Sequence, residues 1–224
     1  MTATTNPKKL QPIQVDDAVF TAKRSAAYSL KTAGYAVLHL LHLVTASVFV
    51  WGISNHAQFG PDQVCLLYVR DYRATREALI FSAHSSACPN SLGVGTTGII
   101  LALIIGLTNL TVRFKPTIHT NKPLTLIICL ASALFAIISL TMAIFATDGL
   151  NKSCEEFASL EPARTCKQVF ATGFYDNDNP NWTFYNSLDV VQVAIGNCWA
   201  MGALWALFAG LKGWEWRFGT VKWW

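Results

Sequence analysis

The sequence predicts an all-α membrane protein: a four-transmembrane-helix bundle with two disulfide-bearing extracellular loops. Three observations carry that expectation. Only 13% of the residues are charged and 52% are hydrophobic, where soluble domains run near 25% charged. The apolar residues fall in four blocks, each near the roughly 20 residues that cross the hydrocarbon core at 1.5 Å per residue. Charge also alternates in sign between the segments that join the blocks. A soluble protein with four buried helices explains the composition but not blocks of this length.

The first span is expected over residues 33–53, 21 residues without a charge. Some 30 mostly polar residues precede it, with Pro7 and Pro12 among them. The block is longer than a signal-peptide core of roughly 7–15 residues, so a retained signal-anchor is expected and no cleaved leader. Residues 1–32 read as a mobile cytoplasmic tail whose Lys8, Lys9, Lys23, Arg24 and Lys31 face lipid headgroups. The remaining spans are expected over 93–112, 124–146 and 190–211, of 20, 23 and 22 residues.

Orientation follows from the flanks. Residues 1–32, 113–123 and 212–224 hold 11 Lys/Arg and three acids, a net of +8. The long loops, 54–92 and 147–189, hold six Lys/Arg and ten acids, a net of −4. Cytoplasmic segments retain positive charge, so both termini are expected inside and the two loops outside, on the secretory route to the plasma membrane or vesicles. The net charge of +4 therefore reports topology and offers no case for nucleic acid.

The loops carry four of the six cysteines: Cys65 and Cys88 in the first, Cys154 and Cys166 in the second. Four cysteines allow three connectivities. Pairing within each loop is preferred because each pair lies in one continuous segment, and pairing across the loops is the alternative. Neither pair has metal-site spacing. Asn151-Lys152-Ser153 and Asn181-Trp182-Thr183 place two candidate glycosylation sites in the second loop. A third sequon, Asn109-Leu110-Thr111, falls inside span two, where no transfer occurs. Cys129 and Cys198 lie in spans three and four and read as small buried apolar residues.

Within the spans, His39 and His42 share one face of the first helix. Neutral, hydrogen-bonded packing histidines are the simpler reading, and a proton or ligand site is the speculative one. Gln192 and Asn197 in span four are expected to bond across to another helix. Gly98, Ala102 and Gly106 form a small-residue stripe on span two, and Gly202, Ala206 and Gly210 repeat the spacing on span four. Such stripes let helix backbones approach closely, within the bundle or against a partner. Residues 212–224, with Trp214, Trp216, Phe218, Trp223 and Trp224 among Lys212, Arg217 and Lys222, read as a cytoplasmic interfacial anchor. No nucleophile elbow, zinc helix, phosphate loop or dinucleotide fingerprint is present, so no catalysis, cofactor or metal is expected.

Several short stretches resemble one known family. Cys65-Leu66-Leu67-Tyr68 follows span one, Ala87-Cys88 leads to span two, Ser153-Cys154-Glu155-Glu156 sits in the second loop, and Phe184-Tyr185 enters a fourth span bearing Trp199 and Trp205. Together these resemble the transmembrane protein 179 family over residues 35–214. The resemblance implies four spans, cytoplasmic termini and disulfide-bearing loops, and no established reaction. This chain differs in its longer N-terminal and shorter C-terminal tail. The claudin-like Gly-Leu-Trp with two close cysteines is absent from loop one, and synaptogyrin-like vesicle proteins are the alternative family. The function expected is that of an accessory or organising subunit for other integral membrane proteins in the lipid bilayer. Self-association as a vesicle or junction tetraspan is the first alternative, and a small transporter or proton-sensitive channel using His39 and His42 is the second.

Overall fold

The computed structural model describes residues 15–59, 64–74, 78–82, 86–114, 122–159, 165–172 and 187–218. In chain order they form α1 (Val15–His56), β1 (Gln58–Phe59), β2 (Val64–Cys65), β3 (Val69–Ala74), β4 (Ala78–Ser82), α2 (Ala87–Phe114), α3 (Lys122–Ala158), α4 (Cys166–Thr172) and α5 (Leu188–Phe218). Four helices, α1, α2, α3 and α5, are long and apolar enough to cross a membrane. The pairs α3 with α5, α1 with α5 and α1 with α2 pack extensively, and α2 returns to α3, closing a four-helix ring. One end of the ring carries the β-strands and α4, here called the loop end. The other is the tail end.

The distribution of polarity identifies the solvent. Leu40, Leu103, Ile104, Leu130, Leu134, Ile137 and Val193 are exposed, whereas His39, His42, Thr45, Ser91, Ser132 and Ser139 are buried. A water-soluble bundle places these the other way round. The buried hydroxyls bond carbonyls on their own helices: Thr45 to Leu41, Ser91 to Ala87, Ser132 to Ile128 and Ser139 to Phe135, at 2.7–2.9 Å. Such back-bonding lets a polar residue sit in a dry interior without a second helix to satisfy it. The protein is an integral membrane protein of four spans.

Helices overrun the apolar blocks that announced them. α1 begins at Val15, so residues 15–32, expected as a mobile tail, continue the helix. That stretch contains no Pro or Gly to stop it. α3 runs to Ala158 and α5 to Phe218, past the expected limits of 146 and 211. Hydropathy marks the part of a helix that lipid touches, and helices end only where capping or breaking residues intervene. At 37 residues, α3 is about 55 Å long against a hydrocarbon core of about 30 Å, so it projects beyond the bilayer.

The first loop adds β-structure that a purely helical reading does not contain. β1 pairs antiparallel with β2, and β3 with β4, with a register irregularity between Val69 and Asp71. Each strand of the second pair carries one β-branched and one aromatic residue, Val69 and Tyr72 in β3 and Ile80 and Phe81 in β4, which favour the pleated conformation.

The two small-residue stripes have different fates. Gly98 faces Met201 and Phe135, Ala102 is buried, and Gly106 lies beside His39. The span-two stripe therefore faces the bundle throughout. In α5 only Gly202 is at a helix contact, with a Cβ there falling 2.8 Å from the Leu140 side chain and 3.2 Å from its backbone nitrogen. Ala206 and Gly210 are exposed. Four-residue spacing drifts about 40° per step around a helix of 3.6 residues per turn, so the third member has turned off the contact. Gln192 and Asn197 also depart from expectation. Gln192 is exposed, and Asn197 Nδ2 donates to the Val193 carbonyl of its own helix at 2.9 Å.

Gly202→Leu is therefore expected to destabilise the bundle by about 1–3 kcal/mol through overpacking against Leu140, read as a lower melting temperature in detergent. Gly210→Leu is expected to leave that temperature unchanged, and equal losses in both variants would contradict the close approach of α3 and α5.

Candidate functional site

At the loop end the projecting part of α3 forms a post onto which the first loop is clasped. Tyr68 is the pivot. Its backbone turns with φ of 61°, a left-handed conformation that non-glycine residues seldom adopt. That turn lets its N–H donate to the Gly149 carbonyl at 3.0 Å while its ring packs against α3 at Gly149. A Cβ on Gly149 would fall 2.6 Å from the ring, so only glycine permits the approach. The Tyr68 hydroxyl donates to Asp148 Oδ2 at 2.9 Å and lies 3.1 Å from the Phe145 carbonyl. Lys152, one turn along α3, bonds Asp148 at 2.9 Å and sits 5.3 Å over the Tyr68 ring.

One turn further, Ser153 completes the clasp. Its hydroxyl accepts from the Val69 N–H at 2.9 Å, and its single proton is shared between the Leu66 and Gly149 carbonyls at 2.8 and 2.9 Å. It is fully buried, and so are Leu66 and Leu67 on either side of the contact. Burial, followed by the hydrogen bond and charge of Asp148, pushes the Tyr68 phenol up from 10.0 to about 12. A folded-state value above the unfolded one stabilises fully below pH 10 and is lost as pH rises through about 12.

Both disulfides form within loops, as preferred from the sequence. Cys65–Cys88 fastens β2 to the start of α2, and Cys154–Cys166 fastens the end of α3 to the start of α4. Closing segments of 23 and 12 residues contributes about 2–4 kcal/mol each in the chain-entropy view. α4 opens with a reciprocal cap in which Thr165 N donates to Gln168 Oε1 and Gln168 N to Thr165 Oγ1. That capping box is legible as Thr-x-x-Gln. Phe170 of α4 packs edge-on against Phe157 of α3, at 6.4 Å between centroids. Lys167 Nζ reaches Asp189 on α5 at 3.8 Å.

The candidate glycosylation sites fare differently. Asn151 is exposed on α3, but Ser153, the hydroxyl residue of its sequon, is committed to the clasp. Asn181 lies outside the described residues. The intramembrane Asn109 does have a partner: its Nδ2 is 2.8 Å from His39 Nε2, joining α2 to α1.

His39 and His42 stand in an aromatic column at the bundle axis. His42 is fully buried, with its ring centroid 4.3 Å from Trp205 and 6.1 Å from Phe208. Phe208 also meets His39 and Tyr35 edge-on, and Trp205 meets Phe135. The backbone of Leu38 and of Leu204 approaches the His42 ring, but its nitrogens close no well-formed hydrogen bond among the described residues. Those residues also hold no group of three His, Cys, Asp or Glu able to grip a metal ion. Cys198 is buried against the Ser139 carbonyl and Cys129 is half-buried against that of Ala209, both as free thiols.

Ser153→Ala is expected to leave the Val69 N–H buried without an acceptor, at a cost of about 1–3 kcal/mol. Hydrogen exchange in residues 66–69 is expected to accelerate while that of α5 does not. Unchanged exchange there would show that the hydroxyl does not hold the loop.

The clasp joins two stretches that carry the family resemblance, since Leu66, Tyr68 and Val69 meet Gly149 and Ser153. A protein-family model described as Transmembrane protein 179/179B Claudin domain matches residues 29–216. No curated protein and no solved structure matches. The description carries the claudin name although the Gly-Leu-Trp pattern is absent from this chain's first loop. A match that takes in all four spans and both clasped segments settles the relationship: the chain belongs to the transmembrane protein 179/179B family.

Proposed function

We propose that this four-span protein is a non-catalytic accessory or organising subunit that binds other integral membrane proteins side by side in the bilayer. One observation carries the reading. The exposed residues of α5 include Gly196, Ala200, Ala203, Ala206 and Gly210, alongside the larger Val193, Trp199, Leu207 and Leu211. The exposed residues of α3 are instead mostly Leu and Ile, among them Leu130, Leu134, Ile137 and Ile144. Large aliphatic side chains suit lipid, whereas a small-residue face lets another helix approach closely enough for dispersion and weak hydrogen bonds to hold it. A Cβ added at Gly196 or Gly210 meets nothing within 4 Å, so both positions are open to a neighbour.

The clasped loop end supports the same reading. Two disulfides and the Tyr68–Ser153 contacts hold the loops against α3, so a partner resting there pays little to order them. The charge of the connecting segments supports an orientation with both tails cytoplasmic and the clasp outside, reached by the secretory route. In that orientation the Asn151 and Asn181 sequons lie on the glycosylated side of the membrane, although the Ser153 hydroxyl of the first is held in the clasp.

Crosslinking followed by affinity purification is expected to recover a specific membrane protein with the wild type. Gly196→Leu together with Ala203→Leu is expected to reduce that recovery at least tenfold without changing the melting temperature. Loss of homo-oligomers in place of a foreign partner would instead establish self-association, and unchanged recovery would remove α5 as the contact. Membrane-impermeant labels on intact cells are expected to reach residues introduced beside Asn151 and not either terminus. Labelling of a terminus would overturn the orientation.

A further inference from the structure

At the tail end a cavity of about 360 Å³ lies between α1 and α5, and its Val37, Leu41, Leu207, Leu211 and Trp214 are exposed on the outer surface of the bundle. Such a volume lies within the range of about 300–1,000 Å³ typical of small-molecule sites. Its walls are apolar over most of their length, formed by Val37, Leu38 and Leu41 of α1 and Leu207 and Leu211 of α5. Its end is charged. Glu215 accepts from Lys31 at 2.5 Å, from Lys212 at 3.0 Å and from the Tyr35 hydroxyl at 2.8 Å.

Among the described residues the charges at that end do not cancel. Two ammonium groups share one carboxylate, leaving a net of +1. Lys212 is almost enclosed, with 8% of its side chain exposed, and its ammonium also lies 4.3 Å over the Tyr35 ring. Lys31 keeps 35% exposure at the mouth, and of its three donors only one is used by Glu215. Trp214 lines the mouth and is exposed, as an indole at headgroup level is expected to be.

We propose that this groove is a binding site for one phospholipid with an anionic headgroup. An acyl chain lies along Val37, Leu41, Leu207 and Leu211, and the phosphate takes the free donors of Lys31. Lipid is the solvent at this depth, so an apolar trough open to the bilayer is filled by an acyl chain. The surplus ammonium charge then selects the headgroup. A partner helix would fill the trough but leave that charge uncompensated in a medium of low dielectric, which is costly. Gly196 and Ala203 do not line the groove, so the tests at Gly34 and Lys31 are read separately from the contact proposed for α5.

Gly34 supplies a clean test. It lines the groove, and a Cβ there meets nothing within 4 Å, so a larger side chain enters the trough without displacing the bundle. The full chain is reconstituted in vesicles containing equal phosphatidylserine and phosphatidylcholine, then extracted gently and weighed by native mass spectrometry. The wild type is expected to retain one phosphatidylserine, at least tenfold over phosphatidylcholine. Gly34→Phe is expected to lose it at an unchanged melting temperature. Lys31→Gln is expected to retain one lipid with the preference abolished. Equal retention of both lipids by the wild type, or undiminished phosphatidylserine on Gly34→Phe, would overturn the proposal.

Discussion

Everything in this structure follows from the bilayer's refusal to hydrogen-bond. Hydrocarbon offers no partner to an amide, so the four crossings satisfy their backbones as helices. The same rule decides which side chains go where. Hydroxyls and imidazoles retreat to the bundle interior, where Ser132 and Ser139 turn back on their own helix carbonyls and His39 finds Asn109. Leucine and isoleucine go outward, as a core turned inside out. Helix association then depends on shape, and Gly98 and Gly202 occupy positions where a larger residue meets a neighbouring helix.

Beyond the hydrocarbon the same helices become scaffolding. α3 outlasts the bilayer and carries Gly149 and Ser153 into a region where loops need support. The first loop has little core of its own, so it borrows one. Leu66 and Leu67 bury against the post, while Tyr68 and Ser153 satisfy the backbone groups that burial would otherwise strand. Disulfides on either side of this contact reduce the entropy of the unfolded loops, and the hydrogen bonds choose their position. The family match, residues 29–216, spans both halves of the clasp.

The tail end solves a different problem. Lys31, Lys212 and Glu215 bring three charges near a low-dielectric medium, and pairing is what makes their burial tolerable. Lys212 was expected to reach the headgroups with the rest of the aromatic and basic tail. It turns inward instead, because Glu215 follows three residues later on the same helix face and Tyr35 offers its ring from α1. The arrangement ties α1 to α5 where they would otherwise splay.

The sequence alone determined the number of spans and the apolar centre of each, because lipid selects long apolar runs and those leave a one-dimensional trace. For the disulfides it favoured pairing within loops, a choice that the packed structure decided. It did not reveal that Tyr68 and Gly149 touch, that Ala206 and Gly210 face outward, or that Asn109 serves His39. Each of those depends on the angle at which one helix passes another and on how far α3 continues past the apolar run. Spacing along a chain fixes which residues share a face; only the packed bundle decides what that face meets.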